Sequence, residues 1–286
     1  MSVGLDLGGR RVLLTGATDG IGLATARRLA GMGAHLIAHG RNPEKLDALR
    51  AELDGAPGQV TCHLADFSSL AEVARMAGEI REAHPAIDAV INNAGIGPGS
   101  PGSGRELSRD GLELRLQVNH LASALLTRAI TGSLDRGARV VHVASGAQEP
   151  VDPEDPCFSR DYDGFRAYCR SKLAMVMDAF DLADALRPAG VAVNALHPGS
   201  LLDTKLVRES FDQVWGAPGN GAEAILNLAL SPELAGVTGQ YFDEGRPTEP
   251  HPAARDPAAR EWLRAETRRL IGPYLTTTRA PSPTRA

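Results

Sequence analysis

Residues 11–22 read RVLLTGATDGIG, and this stretch decides the fold. A short apolar run leads directly into three glycines, Gly16, Gly20 and Gly22, and a helical pattern follows. Glycines at a turn from strand to helix let the backbone approach a pyrophosphate, which then lies on the amides and the positive dipole end of the helix. The stretch therefore predicts a dinucleotide site, although a glycine turn alone is also found where the backbone simply needs such dihedrals.

The rest of the chain alternates in the same way between short apolar runs and longer segments of helical period. Strands are predicted at Arg11–Thr15, His35–Ala38, Val60–Leu64, Asp88–Ile91, Arg139–Val143, Val191–Leu196 and Gln240–Phe242. Helices are predicted near 21–32, 43–53, 69–82, 111–130, 165–186, 221–230 and 257–271. Such alternation is typical of βαβ units. We predict one doubly wound Rossmann-type α/β domain over residues 1–275, with a seven-stranded, mostly parallel sheet flanked by helices.

Composition excludes several classes of function. The 286 residues are 43% hydrophobic and 23% charged, with a net charge of -5 and no basic stripe, which disfavours nucleic-acid and anionic-membrane partners. No apolar run reaches the roughly 18 residues of a membrane span, and the first residues lack the apolar core of a signal peptide. The three cysteines show no metal or disulfide spacing. We expect a cytoplasmic protein that binds a small molecule and no metal.

Several further motifs follow the glycine turn in a fixed order. They are Asn92-Asn93-Ala94-Gly95, Asn119, Ser145, Tyr168-x-x-x-Lys172 and His197-Pro198-Gly199. With them the chain resembles the short-chain dehydrogenase/reductases from Arg11 to about Ile271. Tyr168 lies 23 positions after Ser145, and residues 168–174 read YCRSKLA. This long spacing and the GQYF run at 239–242 resemble the branch of retinol dehydrogenases and WW-domain oxidoreductases.

The resemblance implies four catalytic residues: Asn119, Ser145, Tyr168 and Lys172. Tyr168 and Lys172 are four apart, so they share one helix face, and a nearby ammonium favours the phenolate and lowers its pKa. An isolated YxxxK is usually a surface pair, but lysine is rare in this chain, where only three of 30 basic residues are lysines. Ser145 would donate a hydrogen bond to a substrate carbonyl. Asn119 would hold a water that relays protons to Lys172, and it could also cap a kink in its own helix.

The residues after the second strand, His39-Gly40-Arg41-Asn42, bear on the cofactor. No acid is present to bind a ribose 2′-hydroxyl, and Arg41 stands where NADP-binding relatives carry arginine, so NADP(H) is favoured over NAD(H). Asp19 departs from this pattern, since some NADP-dependent relatives have a basic residue there. The complete set of cofactor residues implied by the resemblance is Gly16, Thr18, Asp19, Gly20, Ile21, Gly22, Arg41, Asn42, Asp66, Phe67, Asn93, Ala94, Gly95, Tyr168, Lys172, Pro198, Gly199 and Thr204.

The predicted function is hydride transfer between NADP(H) and a carbonyl or alcohol. The segment 199–219 lies where the family has its substrate lid, and its apolar residues suggest a small lipophilic ketone, aldehyde or alcohol, unless they only pack the lid onto the body. A redox-neutral enzyme (dehydratase, epimerase or cyclase) and a non-catalytic nucleotide-binding protein are the alternatives.

Two further predictions concern assembly and the chain end. A homodimer or homotetramer could form through the helices at 111–130 and 165–186. The second of these helices carries an apolar stripe, which could instead face the sheet and consists of Leu173, Val176, Met177 and Phe180. Residues 276–286 are predicted to be a disordered tail.

Overall fold

The computed structural model describes residues 6–100, 102–210 and 213–276. Within these ranges the predicted alternation of strands and helices is present. The predicted tail lies outside the described residues, except for Thr276, which ends the last helix.

The strands and helices have the following bounds. The strands are β1 Arg11–Leu14, β2 His35–Gly40, β3 Val60–Leu64, β4 Ile87–Asn92, β5 Leu134–Val143, β6 Ala192–His197, β7 Tyr241–Asp243 and β8 Arg246–Thr248. The helices are α1 Gly20–Gly31, α2 Pro43–Glu52, α3 Leu70–Ala83, α4 Ala122–Ala129, α5 Gly164–Leu186, α6 Lys205–Ser210, α7 Pro218–Leu230 and α8 Pro257–Thr276. A π-helical turn, Leu116–Leu121, leads into α4, and short 3-10 turns lie at Thr131–Ser133, Arg187–Ala189, Pro232–Leu234 and Pro252–Arg255.

Side-chain caps explain where several helices begin. Asp19 accepts from the Gly20 amide at the start of α1, Ser69 accepts from the Glu72 amide at the start of α3, and Asp163 does the same for α5. Each cap satisfies one backbone N–H that has no partner inside its helix. The cap at Asp163 matters most, because it begins the helix that carries Tyr168 and Lys172.

The eight strands form one sheet in the order β3-β2-β1-β4-β5-β6-β7-β8. All neighbours are parallel except β7 and β8. The strand order reverses between β1 and β4, and ligands of doubly wound sheets bind beyond the carboxyl ends of the strands at such a point. The glycine turn after β1 and the Asn93 segment after β4 both lie there.

Two boundaries differ from the sequence-based prediction. The sheet has eight strands rather than seven, since Arg246–Thr248 pairs antiparallel with β7 across a tight turn. Three residues that include a proline carry no recognisable strand period. The helix predicted at 111–130 is shorter because Glu113 forms a β-bridge with Leu107, and its carboxylate accepts from the Leu116 amide at 2.7 Å.

The core has two layers, one on each face of the sheet. Helix α8 packs on the outer side of α4 and α5, where Arg260 donates to Asp181 at 2.9 Å and His120 and Thr267 are hydrogen-bonded at 2.8 Å. All four residues of the predicted dimer stripe are buried within the chain, including Phe180, which contacts the guanidinium groups of Arg255 and Arg260. The stripe is therefore part of the core.

None of the helices in the described part of the chain combines the length and the apolar character that crossing a bilayer requires.

Candidate active site

The glycine turn after β1 has a backbone that only glycine accommodates. Gly16 has a φ of +67°, and a Cβ there would lie 2.9 Å from the Cα of Ala94. A Cβ on Gly22 would lie 1.9 Å from the Gly16 carbonyl oxygen. Gly20 has a φ of +50° at the first residue of α1. These constraints keep Cβ atoms out of the turn at the N-terminus of α1, so that a pyrophosphate could approach its backbone.

Thr15, which sequence reasoning did not assign a role, joins this turn to the segment after β4. Its hydroxyl accepts from the amides of Asn93 and Ala94, both at 2.9 Å. The Asn93 side chain donates in return to the carbonyls of Thr15 at 2.9 Å and Gly16 at 3.2 Å. The predicted cofactor residue Asn93 therefore shapes the wall of the site by holding two loops together.

His39 is a second residue whose role was missed. Its ring stacks on Phe67 with centroids 4.2 Å apart, and its Nε2 lies 3.0 Å from the Ala65 carbonyl, so Nε2 carries the proton. Nδ1 then accepts from the Gly16 amide at 3.3 Å. Burial lowers the pKa of His39 to about 4, so the ring is neutral at physiological pH. Its position near the carboxyl end of β2 is a signal that the sequence offered.

At the end of β2, Arg41 is exposed and no hydrogen bond or ion pair within the described ranges engages its side chain. Asn42 caps α2, accepting from the Lys45 amide at 2.7 Å. Asp19 caps α1 and forms an ion pair with Lys45 at 2.6 Å, and this hydrogen bond holds the pKa of the Asp19 carboxyl below its ordinary value. Thr18 lies beside them, with its methyl 2.8 Å from where a Gly40 Cβ would be.

Asp66 and Phe67 follow β3 at the same edge. Asp66 accepts from the Ser68 amide at 2.9 Å and pairs with Arg109 at 3.2 Å, and Arg109 also donates to Glu72 at 2.7 Å. Phe67 is buried beneath His39. The structure thus places Asp66 at the surface of the site and makes Phe67 a supporting residue.

Ser145, Tyr168 and Lys172 come together where β5 ends beside α5. The Ser145 hydroxyl lies close enough to the Tyr168 phenol to favour its ionised form, and the Ser145 carbonyl accepts from Tyr241 and Gln148, both at 2.9 Å. The Lys172 ammonium lies 5.7 Å from the centroid of the Tyr168 ring and donates to the Val143 carbonyl at 2.9 Å.

The ionisation of this pair differs from the sequence-based expectation. Burial raises the pKa of Tyr168 to about 12, and the nearby Ser145 hydroxyl opposes only part of that effect. Burial lowers the pKa of Lys172 to about 8. An ammonium lowers the pKa of a phenol strongly only at short range and in the absence of competing desolvation. At neutral pH the Tyr168 phenol is therefore a proton donor.

Asn119 lies in the π-helical turn, a form that occurs frequently at functional sites. Its Oδ1 accepts from the Ile96 amide at 2.8 Å, and its Nδ2 donates to the Ile96 carbonyl at 3.1 Å and to Ser171 at 2.9 Å. Ser171 donates to the Tyr168 carbonyl at 2.7 Å. A Cβ on Gly95 would lie 3.1 Å from Oδ1 of Asn119 and 3.5 Å from the Lys172 ammonium, so the two groups flank this glycine.

Arg115, which sequence reasoning also missed, holds the neighbouring loop. It is 1% exposed, and its Nε donates to the carbonyls of Gly97 at 3.1 Å and Pro98 at 3.0 Å. Its other nitrogens donate to Tyr162 at 2.8 Å and pair with two carboxylates, Glu106 at 2.9 Å and Glu113 at 3.4 Å. Arg115 therefore connects the π-helical turn, the loop after β4 and the insertion before Tyr168.

The segment 199–219 approaches the glycine turn from β6. The Thr204 methyl lies 3.0 Å from where a Gly20 Cβ would be, and the Thr204 hydroxyl accepts from the Val207 amide at 3.3 Å. Pro198 and Gly199, which has a φ of +127°, make the turn out of the strand. Ile21 faces the other way, toward α7, where its side chain would meet a Cβ on Gly221 at 3.3 Å. Thus Thr204 is placed at the cofactor turn and Ile21 in the packing beneath it.

The apolar residues of this segment divide into two groups. Leu202 and Val207 are buried, whereas Trp215 is 70% exposed. Phe211 lies outside the described residues.

His197, at the end of β6, borders the same region. With Asp243 and Glu244 it forms a group whose potential ligand atoms lie within 4.8 Å of one another. Burial lowers the pKa of His197 against the pull of the two carboxylates. The sequence had predicted no metal site, and these residues did not stand out there because 46 positions separate His197 from Asp243.

The fold and the site define a nicotinamide-dependent oxidoreductase: a glycine turn fitted to a pyrophosphate lies beside a Ser, Tyr and Lys group at the switch point of a parallel sheet. Residues 10–215 match the short chain dehydrogenase family. Human retinol dehydrogenase 13 is 34% identical, with 92% of this chain and 85% of the relative covered. Mouse retinol dehydrogenase 14 is 35% identical, with 87% of this chain and 81% of the relative covered.

A solved structure extends this likeness. A short chain dehydrogenase from Burkholderia cenocepacia, in complex with NADP, is 28% identical with a TM-score of 0.67, covering 84% of this chain and 98% of that one. The chain therefore belongs to the short-chain dehydrogenase/reductases, in the retinol dehydrogenase branch, and is an NAD(P)-dependent oxidoreductase.

Proposed function

We propose that this protein uses NADP(H) to interconvert a lipophilic carbonyl compound and its alcohol. The observation that carries the proposal is that three side chains meet at one place: the Tyr168 phenol interacts with the Ser145 hydroxyl, and its ring centroid lies 5.7 Å from the Lys172 ammonium. Burial, which raises the pKa of Tyr168 to about 12, keeps this phenol protonated. A protonated phenol beside a hydroxyl donor matches the needs of a carbonyl oxygen that gains negative charge.

Each residue of the site has a separate role in the proposed reaction. Bound nicotinamide supplies the hydride for the carbonyl carbon. Ser145 donates a hydrogen bond to the carbonyl oxygen and orients it. Tyr168 gives its proton to that oxygen as the O–H bond forms, and the positive charge of Lys172 stabilises the phenolate left behind. Asn119 holds the Ile96 backbone against α5 and so keeps the Lys172 side of the site in place. In the alcohol-oxidising direction each proton moves the opposite way.

Preference for NADP(H) is supported by the charges at the end of β2. The carboxylate that could oppose a 2′-phosphate, Asp19, is already paired with Lys45 at 2.6 Å. Arg41 has no such partner in the described part of the chain, so its guanidinium is available for a phosphate, which it can bind in a bidentate manner.

A lipophilic substrate is supported by the exposed apolar side chains on the segment 199–219, which we propose is the substrate lid. Trp215 is 70% exposed and Val214 46%. Such side chains at the rim of a site favour contact with an apolar ligand. Retinol, named for the human relative, is an alcohol of that class.

The test is turnover with a panel of carbonyl compounds, following NADPH and NADH separately. Tyr168→Phe should lower kcat by about 10²- to 10⁴-fold while cofactor binding persists. Arg41→Ala should weaken NADPH binding by at least about tenfold and leave NADH binding nearly unchanged. Unchanged turnover in Tyr168→Phe would contradict the catalytic role. Product formed without net cofactor oxidation would favour a redox-neutral enzyme, and binding of neither cofactor a non-catalytic protein.

Assembly and location complete the proposal. We propose that the protein forms a homodimer or homotetramer. The contact uses a surface other than the Leu173–Phe180 stripe, because that stripe is buried within the chain. The cytoplasmic location stays a prediction from composition.

A further inference from the structure

A cavity of about 680 Å³ lies at the amino-terminal side of β1, β2 and β3. The proposed active site lies beyond the opposite, carboxyl ends of the strands. The lining includes Arg11 at the start of β1, His35 at the start of β2, Thr61 and His63 on β3, and His84 at the end of α3. Among the described residues, no Asp or Glu lines it. Neither the cofactor nor the proposed chemistry uses this cavity.

Two imidazoles flank one hydroxyl, and a third ring lies beside one of them. The Thr61 Oγ1 lies 3.5 Å from Nε2 of His35 and 3.5 Å from Nε2 of His84. The His84 ring meets the His35 ring edge-on at 5.2 Å and the His63 ring at 5.9 Å. His84 is 4% exposed, so its ring is desolvated except on the cavity side. The group thus presents several N–H donors and one O–H donor over a short span.

Arg11 adds a fixed positive charge. Its backbone amide donates to Asp88 at 2.8 Å, but no carboxylate in the described ranges lies within ion-pair distance of its guanidinium. The charge of Arg11 contributes, after burial, to lowering the pKa of both His35 and His84, and for His84 the pKa falls to about 4. Arg11 therefore contributes a positive charge to this cavity and disfavours protonation of the two neighbouring rings.

Carboxylates around the rim are engaged elsewhere. Glu79 on α3 lies 3.8 Å from Nδ1 of His63 but shares its charge with Arg75 at 2.5 Å. Asp47 on α2 pairs at 3.2 Å with Arg50, which also lines the cavity. Glu79 and Asp47 are thus each offset by an arginine, and the third nearby carboxylate, Asp88, accepts from the Arg11 backbone amide and does not line the cavity.

We propose that this cavity binds an oxyanion of the phosphate class, either free or as the phosphate group of a small metabolite, between Arg11 and the His35–His84 pair. A bound oxyanion accepts hydrogen bonds from the guanidinium and the imidazoles and stabilises their protonated forms. Binding therefore couples to proton uptake and strengthens as the pH falls from 8 toward 5. A transition metal would also use three histidines, but the uncompensated Arg11 charge disfavours a cation.

The test is an NMR titration of the imidazole C–H signals with inorganic phosphate and with sulfate, at constant ionic strength set by chloride. Sulfate keeps its charge over this pH range, so any pH dependence of its affinity belongs to the protein. We expect saturable shifts at His35 and His84, higher pKa values for both rings when the anion is bound, and weaker binding at pH 8 than at pH 5.5. Titration with a sugar phosphate then distinguishes a metabolite ligand, which binds more tightly than phosphate, from the free ion.

The matched variants are Arg11→Gln and Arg10→Gln. Both remove one positive charge from neighbouring residues, but the exposed Arg10 does not line the cavity. Arg11→Gln should weaken sulfate binding by at least about tenfold, and Arg10→Gln by less than about twofold. Equal weakening in both variants would reduce the effect to general surface charge and overturn the proposal. The proposal would also be overturned if sulfate caused no shifts in the imidazole signals. A third contrary result would be Zn²⁺ binding at the three rings that becomes tighter in Arg11→Gln.

Discussion

Two buried cations lie beside the loop that follows β4, Arg115 at Gly97 and Pro98 and Lys172 at Gly95, and their surroundings differ. Arg115 is surrounded by two carboxylates, a phenol and two carbonyls, so its charge is compensated. Lys172 is 5% exposed, and within the described ranges its ammonium donates to the Val143 carbonyl at 2.9 Å and the Met175 sulfur at 3.7 Å and pairs with no carboxylate. A paired buried charge holds structure, whereas an unpaired one keeps a perturbed pKa that chemistry can use. The comparison separates the support of the site from its proposed reactive centre.

The largest expected effect is the loss of stability when the Arg115 network is broken. Arg115→Met leaves the buried Glu113 carboxylate without its cation, and we expect the free energy of unfolding to fall by about 3–5 kcal/mol. Urea denaturation measures this. Arg27→Met, which breaks the exposed pair with Glu52, is the matched control and should cost less than about 1 kcal/mol. Adding Glu113→Gln to Arg115→Met should recover part of the loss. If both single variants lost the same free energy of unfolding, the buried Arg115 network would stabilise the protein no more than an exposed ion pair does.

Lys172→Met should show the reverse pattern. Its removal takes away an unpaired buried charge, so we expect little change in stability but a fall in kcat of about 10²- to 10³-fold. In the parent protein, reductive turnover should decline as the pH rises through about 8, because the Lys172 ammonium is then lost while Tyr168 remains protonated. Stability should rise with pH between 8 and the ordinary lysine pKa, since the folded state there holds fewer protons than the unfolded one. A kcat profile that is flat from pH 7 to 9.5 would contradict this role.

The smallest effect is expected at Tyr162, which joins the Arg115 network to the insertion before Tyr168. Tyr162→Phe removes the phenol that accepts from Arg115 at 2.8 Å and donates to Glu113 at 3.1 Å. We expect a loss of about 1 kcal/mol in stability and a higher KM for carbonyl substrates at nearly constant kcat, because the insertion before Tyr168 loosens. Steady-state kinetics with saturating cofactor measure the split. A large fall in kcat with unchanged KM would instead place Tyr162 on the reactive side.

Much of the fold was predictable because its signals are local. The apolar runs of β1 and β4 and the glycines between β1 and α1 carry their conformations in neighbouring residues. The four-residue spacing of Tyr168 and Lys172 likewise placed both on α5. The strand β8 and the π-helical turn escaped prediction, because one has three residues without a period and the other depends on the buried Glu113.

The sequence by itself determined the order of strands and helices, the glycine turn and the residue types at the proposed centre, since these depend on spacing and backbone preference. Only the tertiary structure decided how those residues are charged and held. Arg115 meets Tyr162 across 47 positions, and α8 covers the face that had suggested a dimer. The same burial sets the pKa of Tyr168 and Lys172. Desolvation and long-range pairing depend on what surrounds a group in space, and neighbours in the chain do not report it.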